Sequence, residues 1–181
     1  MSTDRQKSFI AELSTNFGHL HFPRLTHNKQ VASRIYNGLY TSPARDISNY
    51  LFTQRKTPHI TLRFYFRCTR NHYHIYIRTP GDYYGKILGM NEDYIISAVG
   101  DEDAINFNLL DKNYKVITLD DIPSNKISLH IQTTHDRWLT SNGAYRTDEG
   151  IGVSASGGIL LTFHLNIIER NASFIDNPDE V

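Results

Sequence analysis

The chain has 181 residues and carries 19 basic and 19 acidic side chains, so its formal net charge is zero. An apolar fraction of 39% is enough for one hydrophobic core, and the length is short for two domains, so we predict one domain over residues 1–181. Zero net charge by itself argues against strong electrostatic binding to nucleic acid. No apolar run reaches the roughly 18 residues of a membrane-spanning helix.

The cysteine content and the first residues bear on the compartment. Cys68 is the only cysteine, so no disulfide can form within the chain. The start, Met1 to Lys7, is polar and lacks the apolar stretch of a signal peptide. Together these observations predict a cytoplasmic protein in a reducing compartment.

Charge is unevenly distributed along the chain. Between Asp46 and Asp82 there is no acidic residue, and basic side chains alternate with tyrosine and phenylalanine; from Asp82 to Asp121 acidic residues dominate. The pattern indicates one surface that favours phosphate and another that repels it, or simply two solvated faces of a neutral protein.

The predicted elements begin with a helix and continue with a sheet. Phe9, Ile10, Leu13 and Phe17 share one helical stripe, which predicts a helix over Asp4 to Phe17. Next, strict alternation of apolar residues predicts an antiparallel hairpin that pairs Ile60 to Arg67 with His72 to Thr79. Further short strands are predicted at Tyr83 to Leu88, Tyr94 to Val99 and Ile105 to Leu109.

The C-terminal third gives an ambiguous pattern. The run from Ile159 to Ile168 fits a buried strand or a buried helix, because short apolar runs do not distinguish the two. We predict a helix near Leu160 to Arg170, and Trp138 as a core residue. The resulting fold class is α+β, with an N-terminal helix, a central antiparallel sheet and C-terminal helices.

Several short segments occur in a characteristic order along the chain: Ser8-Phe9-Ile10-Ala11, Phe22-Pro23-Arg24-Leu25, Tyr50-Leu51-Phe52-Thr53, Ile60-Thr61-Leu62, Asn71-His72-Tyr73, Arg78-Thr79-Pro80-Gly81, Phe107 with Asn113-Tyr114, and Ile127-Ser128-Leu129. In these segments and their order, from about Ser8 to Phe174, the chain resembles plant ribosome-inactivating proteins of the grass type. The family is an rRNA N-glycosidase toxin that inhibits protein synthesis.

The resemblance implies a site and a partner. Tyr73 and Tyr114 would sandwich an adenine of ribosomal RNA, Glu169 would stabilise the positive charge that develops on the ribose, and Arg170 would assist the departing base. Ribosomal RNA on the ribosome is the implied partner, with no cofactor, no metal and no membrane.

The catalytic helix departs from the family pattern Glu-x-x-Arg-Phe. If Glu169 keeps the place of the acid, Ala172 takes the place of the arginine; if Phe174 sets the register, Arg170 replaces the acid. On this resemblance we also expect the chain to lack the small C-terminal lobe of the family. We therefore expect weak or absent depurination of ribosomes.

A second interpretation comes from an internal similarity. Tyr73 to Thr79 and Ile127 to Thr133 are similar and lie 54 positions apart, and an Asp-x-aromatic triplet follows each, at Asp82 and at Asp136. Two copies of a unit suggest an all-β trefoil that serves as a lectin or a protein-interaction module without catalysis.

Overall fold

Twelve strands, β1 to β12, form the frame of the protein in the computed structural model, which describes residues 2–34, 36–37, 40–41 and 43–174. They are β1 Phe9–Thr15, β2 Gly18–His21, β3 Phe52–Gln54, β4 Arg63–Thr69, β5 His72–Ile77, β6 Ile87–Met90, β7 Ile96–Val99, β8 Phe107–Leu110, β9 Lys126–Thr133, β10 Thr140–Thr147, β11 Gly150–Ser154 and β12 Phe163–Arg170. All neighbours among them pair antiparallel.

Six of these strands close into a barrel. The order around it is β1, β4, β5, β8, β9 and β12, and β12 returns to β1 with Phe9 opposite Arg170. Closure gives every barrel strand a partner on both sides, which removes the unpaired edges of an open sheet.

The other six strands form three hairpins, β2–β3, β6–β7 and β10–β11, that pack at one end of the barrel. The chain therefore runs three times through the same order of barrel strand, hairpin and barrel strand. The repeats are β1–β4, β5–β8 and β9–β12, and this pairing order is that of a β-trefoil. The hairpins also touch one another, since Thr53 of β3 lies opposite Ile151 of β11.

Alternating residues of the barrel strands fill the interior. Phe9, Ala11 and Leu13 point inward from β1, and the same two-residue period continues on the other barrel strands. The stacked rings of Phe9 and Phe66, 4.6 Å apart, mark the centre of this core. The other large inward side chains are Phe64, Tyr73, Ile75, Ile77, Phe107, Leu109, Leu129, Ile131, Phe163, Leu165 and Ile167.

Connections of unequal length join the strands. The one from β2 to β3 is the longest and contains helix α1, Pro23–His27, a two-stranded sheet of Ala32–Ser33 with Arg45–Asp46, and the pair Tyr36–Asn37 and Tyr40–Thr41. Short strands Val116–Ile117 and Ile159–Leu160 and the 3-10 turns Asp101–Asp103 and Leu119–Asp121 complete the described elements. None of the helices within the described ranges is long and apolar enough to cross a membrane.

The predicted α+β fold is wrong, because the protein is nearly all β. The segment expected as a helix over Asp4 to Phe17 contains β1. Its inner face packs in the barrel while Ile10, on its outer face, packs against Tyr65 and Tyr76 in a second apolar cluster. Burial on both faces hides the two-residue period and imitates a helical stripe.

The predicted helix near Leu160 to Arg170 is also wrong, because this segment forms β12. Phe163, Leu165 and Ile167 are buried while His164 and Asn166 between them are exposed, so the period is two. The predicted hairpin is confirmed: β4 pairs with β5 from Phe64 opposite Ile77 to Thr69 opposite His72.

Candidate functional site

A pocket of about 590 Å³ opens in the third repeat. Its walls are the connection from β9 to β10, residues 134–139, and the connection from β11 to β12, residues 155–162. Tyr114 reaches it from the connection between β8 and β9. The other lining residues are Asp136, Arg137, Trp138, Thr140, Ala155, Ser156, Gly157, Gly158 and Leu160.

Two aromatic side chains, Tyr114 and Trp138, line one side of this pocket, and His130 contacts both of them. The ring of Tyr114 stacks on His130 with centroids 5.3 Å apart, and it meets the indole of Trp138 edge-on at 5.4 Å. The imidazole of His130 is fixed by Leu161, whose carbonyl oxygen lies 2.9 Å from Nδ1. Yet 56% of Tyr114 remains exposed, so the cluster presents aromatic surface to solvent rather than burying it.

Tyr114 is held by a tight turn. Its backbone is left-handed, with φ of 62°, and its N–H donates to the carbonyl of Asp111. The carboxylate of Asp111 accepts the N–H groups of Lys115 and Asn113, at 2.9 and 2.8 Å. These bonds, the one from Lys115 first, keep the pKa of Asp111 below its usual value. The turn therefore fixes the position of the Tyr114 backbone, from which the ring extends to the pocket.

Charged and polar groups surround the aromatic side. The guanidinium of Arg137 lies over the ring of Tyr94, 4.5 Å from its centre, and forms no ion pair with another described residue. Asp136 precedes it in a left-handed conformation, with φ of 60°. A cation–π contact orients the guanidinium while leaving its N–H donors available. The pocket thus offers donors and an acceptor close to an aromatic surface.

The second wall depends on glycine. Gly157 and Gly158 have φ of 102° and 130°, and a Cβ on Gly158 would come within 2.5 Å of the carbonyl oxygen of Ser141. Thr140 donates its hydroxyl to the carbonyl of Gly157 at 2.8 Å and so holds this loop against β10. Any other residue would be strained at both positions, and at Gly158 it would also collide with the backbone.

Tyr73, predicted to stack on adenine, lies inside the barrel with 0% exposure. Its hydroxyl donates to the carbonyl of Lys7 at 3.2 Å and accepts the N–H of Leu119 at 3.0 Å. Burial raises the pKa of this phenol well above its usual value. Tyr73 and Tyr114 therefore belong to different surroundings, and no ring contact joins them among the described residues.

Glu169 and Arg170, predicted as the catalytic pair, are consecutive residues of β12 on the barrel. Glu169 is exposed and lies opposite Ile10 of β1. Arg170 donates to the carbonyls of Ile122 and Ser124, at 2.8 and 3.1 Å, which ties down the connection before β9. The structure does not bring either residue to the pocket of the third repeat.

The sequence pattern indicates only part of the pocket. It marks the triplet from Asp136 to Trp138 as one member of a repeated pattern, but the prediction that Trp138 is a core residue is wrong. It is half-buried and lines the pocket. Over the described ranges, no group of three or more histidine, cysteine, aspartate or glutamate side chains is placed to hold a metal ion.

Comparison with known proteins gives no relative: no family model, no curated protein and no solved structure matches this chain. The geometry of the pocket is therefore the basis for a function.

Proposed function

We propose that this protein is a carbohydrate-binding module that holds a sugar ring in the pocket of the third repeat and catalyses no reaction on it. The observation that carries the proposal is the pair of aromatic side chains that lines the pocket, exposed Tyr114 and half-buried Trp138, beside Asp136 and Arg137.

Sugar chemistry matches the two sides of this pocket. A pyranose ring has a face of C–H groups that is apolar, and its edge carries hydroxyl groups. The apolar face gains from contact with an exposed aromatic ring, since water leaves both surfaces. The half-buried indole of Trp138 and the ring of Tyr114 supply that surface.

The hydroxyl groups of a sugar need both donors and acceptors, because an unpaired polar group costs free energy when it leaves water. Arg137 supplies donors in a fixed plane and Asp136 supplies an acceptor. Ser156, whose hydroxyl accepts a bond from the amide of Asn142 at 3.1 Å, lies on the opposite wall. The volume of about 590 Å³ lies within the range of ordinary ligand sites, roughly 300–1,000 Å³.

The polar groups of the pocket favour binding over hydrolysis. Cleavage of a glycosidic bond generally uses two carboxyl groups on opposite sides of the bond. Within the described residues that line this pocket, Asp136 is the only carboxylate. The rRNA N-glycosidase activity stays a prediction from the resemblance, and the catalytic helix on which it depended is a strand.

Tryptophan fluorescence tests the proposal directly, because Trp138 is the only tryptophan of the sequence. Titration with a panel of methyl pyranosides should change its emission in a saturable manner for at least one sugar. Calorimetry with the same sugar should show weaker binding by Trp138→Ala. As a matched control, Val116→Ala removes an exposed apolar side chain two residues from Tyr114 that does not line the pocket.

An unchanged emission with every sugar of the panel, together with no heat of binding, would count against the proposal. So would equal affinities of the parent protein and Trp138→Ala.

A further inference from the structure

A second pocket, of about 450 Å³, opens in the second repeat. It lies between the connection from β5 to β6, residues 78–86, and the connection from β7 to β8, residues 100–106. Tyr76 and Phe174 form its aromatic floor, with ring centroids 5.2 Å apart in an edge-to-face arrangement. Its rim contains Tyr84, Lys86, Gly100 and Asp101.

Backbone hydrogen bonds show that the first walls of the two pockets are equivalent. At the end of β5, the N–H of Ile77 donates to the carbonyl of Lys86; at the end of β9, the N–H of Thr133 donates to the carbonyl of Arg137. Lys86 in the second pocket is therefore equivalent in position to Arg137 in the first pocket.

The second walls are equivalent in sequence as well as in position. Ser97-Ala98-Val99-Gly100 ends the hairpin of the second repeat, and Ser154-Ala155-Ser156-Gly157 ends that of the third. Gly100 and Gly157 line their respective pockets. Both pockets are therefore produced by the same part of the repeated unit.

The chemistry of the second pocket parallels that of the first. Tyr84 is 49% exposed, and its hydroxyl accepts a bond from Arg78 at 2.9 Å, which orients the ring. Lys86 offers donors and Asp101 offers an acceptor. Among the residues that line the pocket, an exposed tyrosine again accompanies one cation and one carboxylate, although the carboxylate comes from the other wall.

We infer that the second pocket is a second carbohydrate site, which makes the protein bivalent for sugar rings. The inference rests on the proposed function, because it assigns to the second pocket the ligand class proposed for the first. The first repeat differs, since only Asn16 and Phe17 separate β1 from β2 and leave no loop to build the first wall.

Amide chemical shifts measure the two sites separately, even at weak affinity. In ¹H–¹⁵N titrations of the whole chain with each methyl pyranoside of the panel, the amides of Gly85 and Gly100 should shift with one saturation curve for at least one sugar. The amides of Gly157 and Gly158 should shift with another.

Variants then separate the sites. Tyr84→Ala should weaken the affinity measured at Gly85 and Gly100 about tenfold, which is the loss expected for one aromatic contact. The affinity measured at Gly157 should not change. Trp138→Ala should do the reverse. Lys86→Gln is a second variant of the same site, which keeps the length of the side chain and removes its charge.

The outcomes distinguish the two proposals. Shifts confined to Gly157 and Gly158 would overturn the second site and leave the proposed function intact. Shifts confined to Gly85 and Gly100, unaffected by Trp138→Ala, would support the second pocket and overturn the first. Absence of shifts in both regions with every sugar of the panel would overturn both.

Discussion

Tyr73 and Tyr114 are the same side chain in opposite surroundings. Inside the barrel, the Tyr73 ring packs edge-on against both Phe9 and Phe66, and both hydrogen-bonding roles of its hydroxyl are filled. At the pocket, Tyr114 contacts His130 and Trp138, and most of its surface remains exposed to water. A tyrosine therefore indicates a stacking site only where the fold leaves its ring exposed.

The difference predicts a large gap in stability between two identical truncations. Tyr73→Ala should lower the free energy of unfolding by about 3–5 kcal/mol, because it leaves a cavity in a packed core. Tyr114→Ala should change it by at most about 0.5 kcal/mol, as for an exposed site. Urea unfolding followed by circular dichroism measures both. Similar losses in the two variants would contradict the assignment of Tyr73 to the core.

Removal of the Tyr73 hydroxyl alone should have a smaller effect. Tyr73→Phe leaves the N–H of Leu119 without its acceptor in a buried place, so we expect a loss of about 1–3 kcal/mol. Tyr84→Phe is the matched control, because its hydroxyl bond to Arg78 is exposed. A loss for Tyr84→Phe as large as for Tyr73→Phe would show that burial of the bond is not what matters.

At the pocket, the effect of truncation should appear in affinity rather than in stability. Tyr114→Ala should weaken sugar binding by about 1.4 kcal/mol, or tenfold, because one aromatic surface is lost. Trp138 emission reports the titration. Binding equal to that of the parent protein would show that Trp138 alone supplies the contact.

The smallest effect concerns pH. Burial lowers the pKa of His21, whose imidazole contacts the carbonyl of Glu149 at 2.8 Å. Since the unfolded state takes up the proton more readily, stability should be full above about pH 6.5, the ordinary value, and fall as pH decreases below it. Unfolding midpoints at several pH values measure this slope. His21→Gln should flatten it, while His19→Gln, on the same strand but partly exposed, should not.

The hairpin of β4 and β5 could be predicted from sequence because Ile60, Leu62, Phe64 and Phe66 alternate with mostly polar residues and a short turn joins the two strands. The similarity of Tyr73 to Thr79 with Ile127 to Thr133 was also informative, since these segments include most of β5 and most of β9 of successive repeats. The structural register differs from that alignment by two positions, which leaves the inward faces unchanged.

Other parts could not be predicted because tertiary contacts override local pattern. Ile10 belongs to an apolar cluster outside the barrel that also contains Tyr65, Tyr76 and Ala172. Because this outward residue is apolar as well, the sequence of strand β1 resembles that of an amphipathic helix. The first repeat was not recognised because a long insertion separates β2 from β3. The pocket could not be predicted from local sequence, since Tyr114 and Trp138 lie on different connections and come into contact only in the folded protein.

The pairing of β1 with β12 has a topological consequence. Because Phe9 lies opposite Arg170, the first and last strands of the barrel are neighbours. The chain can therefore be opened at a different connection without loss of a strand pair of the barrel. A circular permutant that joins the segments flanking these strands and opens at the exposed turn of Arg70 and Asn71 keeps every strand pair of the barrel. Such rearrangements succeed when ends are close and the new opening is an exposed turn.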